Sequence, residues 1–228
     1  MQNVGAYGQE VSDTIESVRA FDLKQDRVIV LPKPACGFRY RSSIFNGGER
    51  GRYIITRVNY RPKRGGAPSL KYADLHQHFA GLLAQKKMPS LAETREAVRA
   101  IRRSKGMLLV PGDADCRSAG SFFKNPVLSE DDFKILTVRA ASRGLEIPSY
   151  PGLDAQRKVS AAWLVEHSGF SKGYVLGSAG ISHKHALALI NRGDARAADI
   201  VALNNEILAR VREAWGILLE REPSFVGF

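Results

Sequence analysis

Cysteine is scarce in this sequence, which argues against a disulfide-stapled scaffold. The chain has two cysteines among 228 residues, Cys36 and Cys116, which lie far apart and lack metal-type spacing. No combination of cysteines and histidines has the spacing of a zinc site either. We therefore predict two free, buried thiols in a reducing compartment, no disulfide and no metal site.

Long apolar runs are missing as well. No stretch approaches the roughly 20 residues that a transmembrane helix needs. Residues 1–5 lack the basic start and the apolar stretch of a signal peptide. These two features predict a cytoplasmic protein without a membrane partner.

Acidic residues are few compared with basic ones. The sequence has 34 Lys and Arg against 23 Asp and Glu, a formal net charge of +11. Such an excess is typical of proteins that bind a polyanionic ligand, although most of these basic residues individually are explained by a solvated positive face. No helix-turn-helix, zinc-finger or RNA-recognition signature is present, so we expect no nucleic-acid partner.

The first part of the chain has the pattern of an antiparallel sheet followed by a helix. Residues 15–23, 28–31 and 52–60 are rich in β-branched and aromatic residues, as strands are. Ser90 and Glu93 have the spacing of a capping box, which predicts a helix that ends before Gly106. Its apolar face is predicted to comprise Leu91, Val98 and Ile101.

The pattern changes between residues 105 and 111, which predicts a boundary between a domain at 1–105 and a domain at 106–228. Beyond it we predict helices at residues 129–142, 159–167, 183–191 and 197–215, and a final strand at 217–220. The predicted fold class is α+β.

Four places carry candidate chemistry, and each also has an ordinary structural explanation. Arg41 lies among aromatic and apolar residues and needs an anion, which is either structural or a ligand. Small residues near Ser121 would let a ligand approach the backbone, although a tight turn has the same composition. Glu220 and Glu222 share one side of a strand, where one could act as an acid or both could face solvent. Lys105 ends a basic helix terminus that suits a phosphate, although the helix dipole alone also favours cations there.

The sequences of six segments, and their order along the chain, resemble those of the UDP-N-acetylenolpyruvoylglucosamine reductase family. The resemblance extends over essentially the whole chain. The string Gly-Ser-Phe-Phe-Lys-Asn-Pro at residues 120–126 is highly specific to that family. The segments that carry the resemblance are Gln2–Gly8, Phe38–Phe45, Ile101–Lys105, Ser118–Pro126, Ala161–Val165 and Glu220–Glu222.

The resemblance implies a flavoenzyme that uses FAD and NADPH to reduce the enolpyruvyl ether of UDP-N-acetylglucosamine to UDP-N-acetylmuramate. This reaction belongs to peptidoglycan synthesis, and hence to cell wall biogenesis, cell shape and cell division. The implied catalytic residues are Ser121 as proton donor, with Arg41 and Glu222 beside the substrate carboxylate. The complete enzyme is expected to be monomeric.

Further site residues follow from the same resemblance. Implied substrate contacts are Tyr72, Lys105, Asn125 and His185, where some members have glutamine in place of the histidine. Implied flavin contacts are Gln2, Asn3, Gly5 and Arg102.

The family's glycine-rich Gly-Ser-Asn loop, which holds the FAD diphosphate, does not occur in this sequence. We therefore expect residues 1–105 to be the remaining part of an FAD-binding domain and residues 106–228 to be the substrate-binding domain. A truncated chain of this kind is expected to bind FAD poorly and to have little reductase activity. The alternative function is a non-catalytic basic module that binds a nucleotide-sugar or another polyanion.

Overall fold

The protein folds as two compact units, each with helices and antiparallel strands. The computed structural model describes residues 1–152 and 155–227. Unit 1 is Met1–Ala100 and unit 2 is Ile101–Phe228. The predicted α+β fold class is confirmed.

Unit 1 is built on a three-stranded antiparallel sheet. A short hairpin of β1 (Gly5–Ala6) and β2 (Gln9–Glu10) precedes it. The sheet has the order β4-β3-β5 and consists of β3 (Ile15–Asp22), β4 (Arg27–Pro32) and β5 (Tyr53–Tyr60), which confirms the three predicted strands.

One face of this sheet covers the small core of unit 1. Ile15 and Val18 of β3 pack there with Cys36 and Phe45. Cys36 is a free thiol, and burial raises its pKa. Cys116, in unit 2, is also free but only half-buried, so the prediction that both thiols are buried is wrong for Cys116.

The helices in the second half of unit 1 are α1 (Ala73–His78), α2 (Ala80–Ala84) and α3 (Leu91–Ser104), which extends to residue 104 of unit 2. The predicted capping box of α3 is confirmed, since the Glu93 amide donates to Ser90 Oγ at 3.1 Å and the Ser90 amide donates to Glu93 Oε2 at 2.7 Å. The predicted apolar face is wrong at Leu91, which is 57% exposed, because Leu91 lies at the first turn and Ala97 is the buried residue.

Unit 2 places helices against two antiparallel sheets. The first sheet has the order β10-β11-β12-β6 and the second β7-β9-β8. The elements are β6 (Ser118–Ser121), β7 (Val127–Leu128), α4 (Glu130–Ala141), β8 (Ser149–Pro151), β9 (Arg157–Val159), α5 (Ala161–Glu166), β10 (Val175–Leu176), β11 (Ala179–Ile181), β12 (Ala188–Asn191) and α6 (Ala197–Trp215).

The core of unit 2 forms where α6 packs on the four-stranded sheet. Leu203, Ile207 and Val211 of α6 are fully buried at helical spacing. The predicted helices at residues 197–215 and 129–142 are confirmed, and Ser129 Oγ accepts the Asp132 amide at 3.1 Å as the N-cap of α4. The predicted helix at 159–167 is confirmed with a later start, because Val159 belongs to β9.

The predicted helix at residues 183–191 is wrong. Residues 183–187 form a loop, and Ala188–Asn191 is the strand β12, which lies between β11 and β6. Ala188, Leu189 and Ile190 are all buried. A short apolar run that is buried on both faces shows no alternation, so its pattern does not distinguish a strand from a helix.

The predicted strand at 217–220 is also wrong in its position. Backbone pairing occurs slightly later, where Arg221 forms an isolated bridge with Phe123.

Two further observations concern the described residues. No helix within residues 1–152 and 155–227 is long and apolar enough to cross a membrane. In the same ranges, no three His, Cys, Asp or Glu side chains are grouped so that they could hold a metal ion.

Candidate functional site

Ser121 ends β6 at a point where two other segments meet the strand. Ser121 pairs with Ala188 of β12, and the Phe122 amide donates to Leu187 O at 2.8 Å. On the other side, the Glu222 amide donates to Phe122 O at 2.9 Å. The backbone therefore brings together Ser121, the loop at residues 183–187 and the segment that carries Glu222.

The residues that follow Ser121 fix this arrangement. The Lys124 amide donates to Glu220 O at 2.9 Å, and the Lys124 ammonium forms an ion pair with the Glu220 carboxylate. The side chains of Phe122 and Phe123 are only 3% and 2% exposed, so both pack in the core and hold the segment in place. Of the two carboxylates considered in the sequence, Glu220 is thus an exposed partner of Lys124, and Glu222 is the half-buried one.

Asn125 is held by the start of α5. Its Oδ1 accepts the Ala161 amide at 2.9 Å, next to Ser160, whose Oγ accepts the Trp163 amide. Because a backbone N–H can only donate, the oxygen of the Asn125 amide must face α5. The NH₂ group of Asn125 is therefore the part of the side chain that can donate to a ligand.

His185 lies in the loop before β12, and its imidazole is neutral at physiological pH. Burial, followed by the charges of Lys105 and Lys172, lowers its pKa to about 4. Its Nδ1 lies 3.0 Å from the Leu187 amide and must accept that proton, so the neutral ring carries its own proton on Nε2. We call Lys105, Lys172 and His185 the cationic cluster, since the charges of both lysines act on the imidazole.

Arg41 lies in a tight turn of unit 1. Arg39 and Ser42 exchange backbone hydrogen bonds across the turn, and Arg41 adopts a positive φ of 52°. A non-glycine residue in this region carries strain, and such strain is concentrated at functional sites. The guanidinium donates to Gly5 O at 2.7 Å, and its carbon lies 5.3 Å from the centre of the Tyr40 ring.

The backbone carbonyl groups of Asn3 and Gly5 both accept hydrogen bonds from the Arg41 guanidinium. Asn3 is 1% exposed; its Nδ2 donates to Glu10 Oε2 and Arg39 O, and its Oδ1 accepts the Ser12 amide. The side-chain groups of Asn3 are therefore used within unit 1. Gln2 is the neighbouring half-buried residue of the same segment.

Tyr72 lies against the turn of the β1–β2 hairpin. Its ring meets the ring of Tyr7 edge-on at 5.1 Å. Gly8 is next to Tyr7, and a Cβ at Gly8 would come within 3.1 Å of the Tyr72 amide nitrogen. Glycine is required here both for this close approach and for a φ of 81°. The structure thus brings Tyr72 to the hairpin that contains Gly5.

Arg102, the remaining predicted flavin contact, lies in unit 2 near the end of α3. Its Nη2 donates to Met107 O at 2.6 Å. The arginine thereby holds the chain as it leaves the helix, just beyond Lys105.

Several residues in or beside the cationic cluster were not predicted from the sequence. They are Lys172, Asp113, Asp115 and Lys184, and each comes close to the cluster or its loop only through folding. Lys172 precedes Gly173, but a single Lys-Gly pair is too common to indicate a site. No signal in one sequence would have identified these four residues.

Comparison with known proteins gives relatives of one kind along the whole chain. A UDP-N-acetylenolpyruvoylglucosamine reductase of Thermobifida fusca is 47% identical over 231 residues, which cover 100% of this chain and 64% of that protein. The reductase of Streptomyces coelicolor is 44% identical and is matched over 100% of this chain and 60% of its own length. The chain therefore spans about three fifths of the length of the curated relatives that it matches.

A solved structure and a family model agree with these relatives. The crystal structure of UDP-N-acetylenolpyruvylglucosamine reductase from Thermus caldophilus is 26% identical, with a TM-score of 0.51, over 97% of this chain and 56% of that one. The family model described as UDP-N-acetylenolpyruvoylglucosamine reductase, C-terminal domain, matches residues 111–226, which include Ser121, Asn125, His185 and Glu222. By this match, the chain belongs to the UDP-N-acetylenolpyruvoylglucosamine reductase family.

Proposed function

We propose that this chain carries the substrate-binding and proton-donating part of a UDP-N-acetylenolpyruvoylglucosamine reductase, which forms UDP-N-acetylmuramate with FAD and NADPH. The observation that carries the proposal is the junction at Ser121. There one hydroxyl lies at the meeting point of the loop that contains His185 and the segment that contains Glu222.

The reaction makes two demands on the protein. Hydride addition to the terminal carbon of the enolpyruvyl group creates carbanion character beside the substrate carboxylate. A cation and an acid next to that carboxylate stabilise the charge, as in an oxyanion site. In this proposal those groups are Arg41 and Glu222, and the Ser121 hydroxyl donates the proton that completes the reduction. A serine hydroxyl is a weak acid in water, but a strongly basic carbanion accepts its proton readily.

The UDP part of the substrate needs cations and donors for its diphosphate. The cationic cluster supplies both, because Lys105 and Lys172 are charged while His185 remains neutral and donates from Nε2. Asn125 and Tyr72 are proposed as further substrate contacts. The family pattern suggests Lys105, Asn125, Tyr72 and His185, whereas Lys172 is added by its electrostatic effect on His185.

The residues near Met1 are proposed to contact a flavin mainly through their backbone groups, because the side chain of Asn3 is already used within unit 1. The Asn3 amide is engaged within unit 1, and the Arg102 guanidinium binds Met107 O. Gln2, Asn3 and Gly5 are thus proposed to contact FAD chiefly through backbone groups. Arg102, whose backbone belongs to α3, is proposed to contact it through guanidinium N–H groups other than the one that Met107 O accepts. A bound FAD, reduced by NADPH, supplies the hydride in this proposal.

The division of labour along the chain is part of the same proposal. We assign residues 1–105 to the FAD-binding domain and residues 106–228 to the substrate-binding domain. The free thiols of Cys36 and Cys116 support a reducing compartment, and we propose the cytoplasm, where a peptidoglycan precursor would be reduced.

The decisive test places this chain in a complete enzyme. The part of the Thermobifida fusca reductase that this chain does not match would be joined to it in the order of that protein, and NADPH oxidation would be followed with and without substrate. In this chimera Ser121→Ala should lower kcat by roughly 10²–10⁴-fold with little change in KM, because the lost proton donor acts only on the reacting carbon. Reduction of the flavin by NADPH alone should stay unchanged.

Ser118→Ala is the matched control, because it removes a hydroxyl from the same strand β6 and should keep kcat within about twofold of the parent. A Ser121→Ala chimera with full kcat would remove Ser121 as proton donor. A parent chimera that oxidises NADPH no faster with substrate than without it would contradict the proposed reaction as a whole.

A non-catalytic module that binds a nucleotide-sugar remains the second candidate, because the cationic cluster lies entirely in unit 2. Calorimetry separates the two functions. Binding of UDP to this chain, combined with a chimera that never turns over, would favour the binding module. Turnover in the chimera favours the reductase.

A further inference from the structure

The loop that carries His185 is held in place by the buried carboxylate of Asp115. Asp115 lies in a short 3-10 helix, Ala114–Cys116, and is 9% exposed. Its Oδ1 accepts the His183 amide at 2.8 Å, and the His183 Nδ1 lies 3.4 Å from the same oxygen. The two residues are 68 positions apart in the sequence, so this contact ties two distant segments of unit 2 together.

The backbone of Asp115 also touches the turn that follows Lys105. Gly106 has a φ of 66°, and a Cβ on it would lie 3.1 Å from Asp115 O and 3.3 Å from Asp115 Cβ. Both the positive φ and the close approach favour glycine at this position. The position of Asp115 therefore limits where the end of α3, and with it Lys105, can lie.

A second pair of residues reinforces the same connection. Asp113 Oδ1 accepts the Asp115 amide at 3.0 Å, and Asp113 Oδ2 binds the Lys184 ammonium. This ion pair lowers the pKa of Asp113 and raises that of Lys184, so both groups are charged at neutral pH. Lys184 lies between His183 and His185 in the sequence. Its ammonium group is bound to Asp113, so this ion pair also holds the loop.

We propose that Asp115 is a positioning residue for the diphosphate-binding part of the site. Its carboxylate holds the loop that carries His185, and its backbone fixes the turn behind Lys105. Asp115 itself is not a catalytic residue, since it acts through these two neighbours. The role rests on the proposed function, because it assumes that the cationic cluster binds the diphosphate of a UDP compound.

The experiment measures UDP binding to the full 228-residue chain by calorimetry, together with the titration of His185 by NMR. Asp115→Ala should weaken UDP binding roughly tenfold, because loss of the acceptor leaves the His183 amide unsatisfied and releases the loop. In the same variant the pKa of His185 should rise from about 4 toward its ordinary value of 6.5, because the ring becomes more hydrated.

Conservative and control variants separate position from charge. Asp115→Asn keeps an oxygen that can accept the His183 amide and should restore UDP affinity and the low pKa of His185. Asp115→Glu keeps the charge but displaces the acceptor, so it should behave like Asp115→Ala; it also serves if the alanine variant fails to fold. Asp131→Ala makes the same change in net charge at an exposed helix position and should bind UDP as the parent does.

Unchanged UDP affinity and an unchanged His185 pKa in folded Asp115→Ala or Asp115→Glu would overturn the positioning role. Loss of affinity in Asp115→Asn equal to that in Asp115→Ala would overturn it as well, because charge rather than position would then be responsible. A parent chain that does not bind UDP would instead contradict the proposed function, and the His185 titration would still decide whether Asp115 positions the loop.

Discussion

His185 illustrates how a single residue acquires a property that its type does not specify. An imidazole in water has a pKa near 6.5, yet burial and the charges of Lys105 and Lys172 lower that of His185 to about 4. A neutral ring beside two ammonium groups adds a hydrogen-bond donor without adding repulsion. His185 was identified from the sequence as a candidate substrate contact by its resemblance to the family pattern. Its protonation state, in contrast, follows only from its neighbours in the structure.

The lowered pKa predicts a pH dependence of stability. Because the folded-state pKa lies below the unfolded value, the free energy of unfolding should be highest above pH 6.5 and decrease as the pH falls to about 4. The decrease should be roughly 2–3 kcal/mol, from the size of the pKa difference. Urea denaturation from pH 7.5 to 4 would measure it, and His185→Gln should remove this part of the slope.

Lys172→Met provides the internal control for this explanation. Removing one of the two cations should raise the pKa of His185. The free energy of unfolding should then depend less steeply on pH. An imidazole that titrates near 6.5 by NMR in the parent chain would contradict the electrostatic account.

At the scale of elements, an ion pair joins the last residue of β3, Asp22, to Arg52, which directly precedes β5. Asp22 is 0% exposed, and its two oxygens accept Arg52 Nε at 3.0 Å and Nη2 at 2.7 Å. Asp22 Oδ1 also accepts the Lys24 amide at 2.9 Å, in the turn to β4. The hydrogen bond from Arg52 is the largest cause of the lowered pKa of Asp22, which is about 2. One side chain at the end of β3 thus binds both the turn to β4 and the residue before β5.

Acid should therefore loosen unit 1 through Asp22. Since its folded-state pKa is the lower one, the stabilisation is fully present above the ordinary pKa of 3.8 and is lost as the pH falls through about 2. Asp22→Asn should lower the melting temperature at pH 7 and remove this acid dependence, which thermal denaturation at several pH values would measure.

Glu16→Gln is the matched control, because Glu16 forms an ion pair with Arg61 at the surface. Exposed pairs contribute little, so this change should leave the melting temperature within experimental error. Equal effects of the two substitutions would contradict the special role of Asp22.

Other elements show where sequence patterns are sufficient and where they fail. The helix α6 and the cap of α4 are confirmed because a long periodic stretch and a Ser-Glu-Asp-Asp start are local signals. The strand β12 was predicted as a helix because its residues Ala188, Leu189 and Ile190 are all buried and show no alternation, and because its neighbour β6 is distant in sequence. A partner strand cannot be seen in a local pattern.

At the scale of the whole molecule, the net charge of +11 raises the question of which anion is bound. The cationic cluster joins two lysines from separate segments to a half-buried imidazole donor. Such a site is suited to a compact diphosphate. Uniformly spread charge would instead bind any polyanion.

The chain should accordingly prefer UDP to single-stranded polynucleotide at about 0.15 M salt, where long-range attraction is screened beyond about 8 Å. Fluorescence anisotropy with labelled polynucleotide, compared with calorimetry for UDP, would measure the preference. Lys105→Met should weaken UDP binding roughly tenfold and hardly alter polynucleotide binding. Polynucleotide that binds as tightly as UDP at this salt concentration would favour a nucleic-acid partner instead.

By itself the sequence determined the α+β class, the three strands of unit 1, the main helices and, through the Ser118–Pro126 motif, the family. These features depend on local periodicity, on caps and on a specific string of residues. Only the tertiary structure decided that Glu222 rather than Glu220 lies half-buried beside Phe122, that His185 is neutral, and that Asp115 holds its loop. The physical reason is the same in each case: hydrogen bonds and charges between segments many residues apart leave no trace in a local pattern, because they exist only once the chain has brought those segments together.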